Sequence, residues 1–281
     1  MSVPLTSRWT RVSRILRLVL HLLRGMAIAG VLFPFISEAR RRGHIRRWSR
    51  QVLAILAIRL HVQHADGAES HSRLNAMLVA NHVSWIDIFA IDAIMPARFV
   101  AKSEVARWPL VGWLSTRVGT LYVSRSRRHD TARINRDVSA ALQRGELVAV
   151  FPEGRTTDGS RILKFHSSLL QPAVSVQAAI LPVALSYWRA DGTRCTELAY
   201  DRHWSLWDTV RRMVRLKRIE CRLTVLPLMR PQHHRRILAD DAHAAIATAL
   251  GICREGVRQI PRDRDDSGLP EQRPVTLRGG S

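Results

Sequence analysis

Lysine is almost missing from this chain: Lys102, Lys164 and Lys217 stand alone among 281 residues, although Lys and Arg together number 44. The positive charge is therefore carried by arginine, and with abundant alanine this looks partly like genomic codon bias. Acidic residues are also few, 23 in all, which leaves a formal net charge of +21. Such an excess implies attraction to a polyanion: nucleic acid, anionic lipid headgroups or a phosphorylated substrate. Charge alone does not choose among them. Cysteine is scarce, and Cys195, Cys221 and Cys253 have neither paired nor metal-type spacing and no histidine cluster beside them. That argues against a disulfide framework and a zinc site and suits reduced thiols in a cytosolic environment. No Gly-x-Ser-x-Gly elbow offers a covalent serine nucleophile, and no internal repeat is present. A hydrophobic content of 46% excludes wholesale disorder.

The placement of the cations is more telling than their number. Arg8, Arg11, Arg14, Arg17, His21 and Arg24 recur every three or four residues among Ile15, Leu16, Leu18, Val19, Leu20, Leu22 and Leu23. This is helical periodicity with a basic and an apolar face. An apolar run over 25–35 follows, broken by Pro34. As a helix it would rise only about 16 Å, roughly half a hydrocarbon core, so it predicts entry into a bilayer without crossing. Arg40, Arg41, Arg42, Arg46 and Arg47 precede a second apolar helical stretch over 48–60. Two apolar helices flanking an arginine cluster suit a monotopic anchor on an anionic membrane surface. A helical hairpin buried on the main domain, a transmembrane pair and a cleaved signal peptide are the alternatives. Arg24, inside the apolar region, speaks against the last.

From about residue 61 the rhythm changes. Short apolar runs at 60–63, 76–80, 98–101, 120–123, 147–151, 179–184 and 222–226 read as strands. Helices are predicted from Ser84 to near Pro96, from Asp130 or Thr131 to Gly145, and over 239–250. The pattern predicts an α/β fold with a mainly parallel or mixed sheet covered by helices, preceded by the two-helix membrane anchor. The expected division is an anchor over 1–60, an α/β domain over 61–255, and a solvated, disordered tail over 256–281.

The spacing His-x4-Asp occurs three times, at His61/Asp66, His82/Asp87 and His203/Asp208, where chance predicts about one. Setting ranks them. His61 lies inside a strand, and His203 follows no apolar strand. Only His82 emerges from a strand end, where crevices form in open α/β sheets. Five residues along a continuous helix rotate by about 140°, so the pair meets only if the chain turns between them. Ser84-x-x-Asp87 reads as a capping box that would supply this turn. Asp87 could also be a cap residue and nothing more. After the run at 147–151, Pro152 stops the strand, Gly154 permits close backbone approach, and Arg155 presents a guanidinium fork suited to phosphate or carboxylate. Arg125 is a second candidate anion ligand, and either arginine could instead be a solvated surface charge.

The order Asn81-His82-x4-Asp87, Gly119-x4-Ser124-Arg125, Phe151-Pro152-Glu153-Gly154 and Leu181-Pro182-Val183 resembles the four motifs of the glycerolipid acyltransferase family across residues 78–185. The resemblance implies that His82 takes the proton from a lyso-lipid hydroxyl attacking an acyl thioester, while Asp87 orients the imidazole. It further implies that Asn81, Ser84, Arg125, Glu153, Gly154 and Arg155 help bind the acceptor and that Pro182 lies near the acyl donor. An imidazole suits base chemistry near pH 7. No cofactor or metal is expected; acyl carrier protein or coenzyme A brings the acyl group as a co-substrate. Expected partners are that carrier and anionic membrane lipid, and no nucleic acid. The expected place is the cytoplasmic face of the inner membrane, as a peripheral, monotopic protein. The acceptor implied first is lysophosphatidic acid, giving phosphatidic acid. The family usually follows Glu-Gly with Thr-Arg, whereas this chain has Arg155-Thr156. That displacement keeps a lyso-ornithine lipid or another lyso-lipid open as acceptor. Charge alone would favour a nucleic-acid-binding protein, a reading that lacks aromatic or recognition-helix motifs.

Overall fold

The computed structural model describes residues 5–68, 76–123, 128–200, 205–231 and 234–252. Arg125, Ser124, His203, Cys253 and the tail expected at 256–281 lie outside the described residues.

In chain order the helices are α1 (Arg8–Ala27), α2 (Glu38–Ile55), α3 (Ile86–Asp92), α4 (Val111–Arg117), α5 (Arg128–Gln143), α6 (Gln171–Ser175), α7 (Leu206–Met213) and α8 (Arg235–Ala249). The strands are β1 (Ile58–His64), β2 (Ala76–Ala80), β3 (Arg98–Lys102), β4 (Leu121–Val123), β5 (Val148–Val150), β6 (Ala179–Arg189) and β7 (Ile219–Val225). They form one seven-stranded sheet in the order β1-β7-β6-β2-β5-β3-β4. Every neighbouring pair is parallel except β6 and β7. This is the expected mixed, mostly parallel α/β sheet.

Alternation along β2 divides the core in two. Ala76, Leu78 and Ala80 join a cluster with α3, the C-terminal half of α2 and the inward residues of β6 and β7. Met77 and Val79 join the opposite cluster, with α5, α6 and α8. A central parallel strand sandwiched in this way is apolar at every position, and all five residues of β2 are buried. Val52, Leu53 and Leu56 at the end of α2 belong to the first cluster, so that helix is part of the core before β1 begins.

Several sequence expectations move. The strand expected at 179–184 runs on to Arg189, because its antiparallel partner β7 continues beside it as far as Ile219. Helix α5 starts at Arg128, so neither Asp130 nor Thr131 marks its beginning. The short α4 and α7 went unread; Ser205 and Asp208 make the capping box of α7, which is the task of that third Asp. His61 bonds Glu220 of the neighbouring strand at 2.6 Å.

The largest change is in the N-terminal helix. One turn of π-helix (Ile28–Leu32) and one of 3-10 helix (Phe33–Phe35) extend α1 without a break. The continuous run Arg8–Phe35 has 28 residues and is long and apolar enough to cross a membrane, by length and composition only. Arg24 and Pro34 do not interrupt it: Arg24 lies on the exposed surface, and Pro34 stands in the 3-10 turn that ends the run. Trp9, Val12, Leu16, Val19, Leu20 and Leu23 make an exposed apolar stripe along α1. Arg14, in contrast, turns inward and donates to the carbonyls of Val214, Leu216 and Lys217. The hairpin closes on α2 through a stacked His21–Trp48 pair, ring centroids 5.0 Å apart. Each of these rings also bonds the other residue's carbonyl, at 3.1 and 3.2 Å.

Candidate active site

Strands β2 and β5 lie side by side at the middle of the sheet, with Val79 opposite Val150. Their C-terminal ends release two loops on the same edge, 81–85 and 151–157. At the first, His82 Nδ1 lies 2.7 Å from Asp87 Oδ2. The same oxygen accepts the amides of Val83 at 2.8 Å and Ser84 at 2.9 Å. The other, Oδ1, accepts the Tyr187 phenol at 2.6 Å. Asp87 is 0% exposed. A buried carboxylate of this kind is stable only when its lone pairs are filled, and four donors fill them. Tyr187 is held as a neutral donor: burial first, then the charge of Asp87, raises its pKa well above the usual phenol value.

Asp87 is thus both a helix cap and a brace. Its carboxylate accepts the Ser84 amide, which is one half of the capping box. The other half does not form, because the Asp87 amide bonds the Ser84 carbonyl at 3.1 Å. The Ser84 hydroxyl is buried and makes no hydrogen bond among the described residues. Since Asp87 takes hydrogen bonds and gives none, the imidazole carries its proton on Nδ1 and leaves the Nε2 lone pair open. The His82 side chain is 19% exposed, enough to meet a ligand. Its ring stacks on Phe151 with centroids 4.0 Å apart and planes 10° from parallel, and Phe151 stacks in turn on Phe99 at 5.9 Å.

The second loop holds the first from behind. Phe151 to Gly154 is a tight turn closed by a 3.0 Å bond from the Gly154 amide to the Phe151 carbonyl. Pro152 sits at its second position, and Gly154 has φ +69°, a conformation that glycine adopts without strain. Glu153 is 3% exposed. Its two oxygens accept the amides of His82 at 2.7 Å and Leu163 at 2.8 Å. Burial pushes its pKa up to about 7 against the pull of those two amides. The His82 carbonyl accepts the Thr157 amide at 2.9 Å. The main chain of His82 is therefore clamped on both sides by residues more than seventy positions later.

The expected acceptor ligands divide on this geometry. Arg155 is exposed, and its charge acts on the neighbouring Glu153. Gly154 is partly exposed at the same turn. Glu153, expected as a ligand, has both oxygens engaged inside the protein and braces the two loops. Asn81 is buried and bonds both main-chain groups of Leu185, at 2.9 and 2.8 Å, which ties β2 to β6. Ser84 has no route to a ligand, being 0% exposed. Pro182 is buried in the sheet opposite Val79. Its missing amide coincides with the step where the chain after β7 leaves β6, to rejoin it at the Ile180–Met229 bridge. Thr156, which stands where arginine is usual, donates to the Tyr200 carbonyl. Sequence reasoning missed Tyr187 and the stacking role of Phe151. Tyr187 has no local signal, since it lies 100 residues from Asp87. Lys164 and His166, on either side of buried Phe165 beyond the second loop, are exposed.

Comparison with known proteins gives the family. The family model described as Acyltransferase matches residues 60–186. The 1-acyl-sn-glycerol-3-phosphate acyltransferase of Neisseria meningitidis is 40% identical over 202 residues, covering 71% of this chain and 77% of that protein. The lyso-ornithine lipid O-acyltransferase of Pseudomonas aeruginosa is 34% identical over 206 residues, covering 73% and 77% respectively. Among solved structures, the 1-acyl-sn-glycerophosphate acyltransferase PlsC of Thermotoga maritima superposes with a TM-score of 0.59 at 19% identity, over 85% of this chain and 96% of that one. It shares the fold. With a matching family model and relatives of this identity and coverage, the chain belongs to the glycerolipid acyltransferase family and is an acyltransferase of lipid biosynthesis.

Proposed function

We propose that the protein moves an acyl group from an acyl-carrier-protein or coenzyme A thioester to the free hydroxyl of 1-acyl-sn-glycerol-3-phosphate, giving phosphatidic acid. The observation that carries this reading is the 2.7 Å bond from His82 Nδ1 to buried Asp87, which leaves Nε2 open at the strand edge. Nε2 takes the hydroxyl proton as the oxygen attacks the thioester carbonyl. The new C–O bond forms, the C–S bond breaks, and the imidazolium returns the proton to the departing thiolate. Asp87 stabilises the imidazolium, and Tyr187 and the two amides keep Asp87 in place. Arg155, Gly154 and Arg125 would meet the acceptor headgroup, and Glu153 would hold the loop that carries them. The work is done at the cytoplasmic face of the inner membrane, with the N-terminal hairpin as a monotopic anchor in one leaflet.

A second acceptor, lyso-ornithine lipid, is favoured by Arg155-Thr156 replacing the usual Thr-Arg, which moves the guanidinium one position along the loop. His82→Ala lowers turnover at least about a hundredfold, the usual worth of a positioned general base, without loss of fold or membrane association. Membranes carrying wild-type or variant protein, given a labelled acyl donor and either lysophosphatidic acid or lyso-ornithine lipid, decide both matters. Wild-type turnover by His82→Ala would remove the base assignment, and product from lyso-ornithine lipid alone would replace the acceptor.

A further inference from the structure

The connection from β3 to β4 leaves the same edge of the sheet as the two site loops, because these strands are parallel to β2 and β5. It carries Trp108, Leu110 and Trp113, all of them exposed. Leu110 is the sharpest of the three. Its φ is +62° and its ψ −52°, and the Val111 amide bonds the Pro109 carbonyl across it at 2.6 Å. That is a γ-turn of the rare, strained hand, with a branched side chain at its apex where glycine would sit without cost. The side chain it lifts outward is apolar and 49% exposed. An exposed leucine held at the cost of strain calls for a reason outside the folded monomer.

Its surroundings supply one. The Trp113 ring lies against the N-terminal helix at Gly30, where a Cβ would stand 3.3 Å from it. Gly30 belongs to the π-helical turn next to Val31, Leu32 and Phe35, which are exposed as well. The apolar surface of the N-terminal helix therefore continues onto the catalytic domain. Cations flank it: Lys102 and Arg107 are exposed, and the Arg117 guanidinium lies 5.2 Å over the Trp113 ring. Indole rings beside arginine, on a surface continuous with an apolar helix, have the composition of a headgroup-level membrane contact.

We infer that Trp108, Leu110 and Trp113 form a second membrane contact, on the catalytic domain itself, that enters the same leaflet as the N-terminal helix and attracts anionic lipid. Two attachments fix an orientation where one would allow swivelling. With the second on the crossover that starts from the edge carrying His82, the site would face the headgroups, so an acceptor could present its hydroxyl while its tail stays in the leaflet.

The test uses the full chain and vesicles of phosphatidylethanolamine with phosphatidylglycerol. Leu110→Glu is expected to weaken vesicle partition about tenfold, and to raise the apparent KM for vesicle-borne acceptor by a similar factor, with an unchanged thermal midpoint. Leu110→Gly suits the positive φ, so it gains or keeps stability while losing part of the partition; it decides the matter if the glutamate variant folds poorly. Wild-type partition by both variants overturns the proposal. Loss that is equal on phosphatidylcholine and on phosphatidylglycerol vesicles overturns its anionic part. The KM measurement rests on the acyl-transfer reading, whereas partition does not, so the two can fail separately.

Discussion

Tyr187 is the side chain whose removal separates bracing from base chemistry. Its phenol reaches Asp87 Oδ1 at 2.6 Å inside the core. Tyr187→Phe keeps the ring and leaves the two amides and the imidazole on Oδ2. We expect a stability loss of about 1–2 kcal/mol and a fall of about tenfold in kcat with little change in KM. Thermal unfolding and steady-state kinetics check both. A rise in KM alone would make Tyr187 an acceptor contact instead. His82 and Asp87 were legible in the sequence because five residues and one turn bring them together. Their outer support was not, because Tyr187, Glu153 and Thr157 reach them only through strand pairing over 70 to 100 residues. Asn81, Ser84, Glu153 and Pro182 sit inside the recognisable motifs for structural reasons that a motif alone does not separate from ligand contact.

At the level of elements, the end of α3 holds a buried acid. Asp92 Oδ1 accepts the Ala97 amide at 3.0 Å, which secures the turn into β3. Burial pushes its pKa up to about 8, so the carboxyl is protonated in the neutral range. A folded pKa above the unfolded one means that the native state holds a proton the unfolded chain releases. Its contribution is full below about pH 4 and declines as the pH climbs to about 8. Asp92→Asn keeps the acceptor for Ala97 and has no proton to lose. The variant should therefore gain on the wild type across that range, by on the order of a few kcal/mol at pH 8, and denaturant melts at pH 5 and pH 8 check it. A constant difference at the two pH values would place the charge on Asp92 throughout. Strands with continuous apolar runs were readable one by one. The seven-residue α4, holding Gly112 and Trp113, has too little periodicity to read, and the long N-terminal helix was underread because Arg24 faces outward and Pro34 falls in the tighter turn that ends the helix.

Across the whole molecule, charge and apolar surface do different work. On the proposed membrane reading, the net charge of +21 would draw the protein toward anionic surfaces, and the exposed stripe of α1 would offer lipid tails a contact that salt does not screen. Raising NaCl from about 0.1 to about 1 M cuts the screening length from about 10 to about 3 Å. We expect this to slow association with anionic vesicles yet release only a minor share of bound protein, whereas detergent releases all of it. Sedimentation with vesicles measures the two fractions. Complete release by salt would mean that the stripe does not enter the bilayer.

The two-sided grip on the His82 main chain has a consequence for how such an enzyme can diversify. On the proposed reading, residues that would meet the acceptor share one short segment with those that hold His82, so insertions or swaps between 153 and 157 would disturb aim and selectivity together. New acceptors are therefore reached most safely by single exchanges at outward positions such as Arg155, and a graft from a relative should carry both segments as a matched pair.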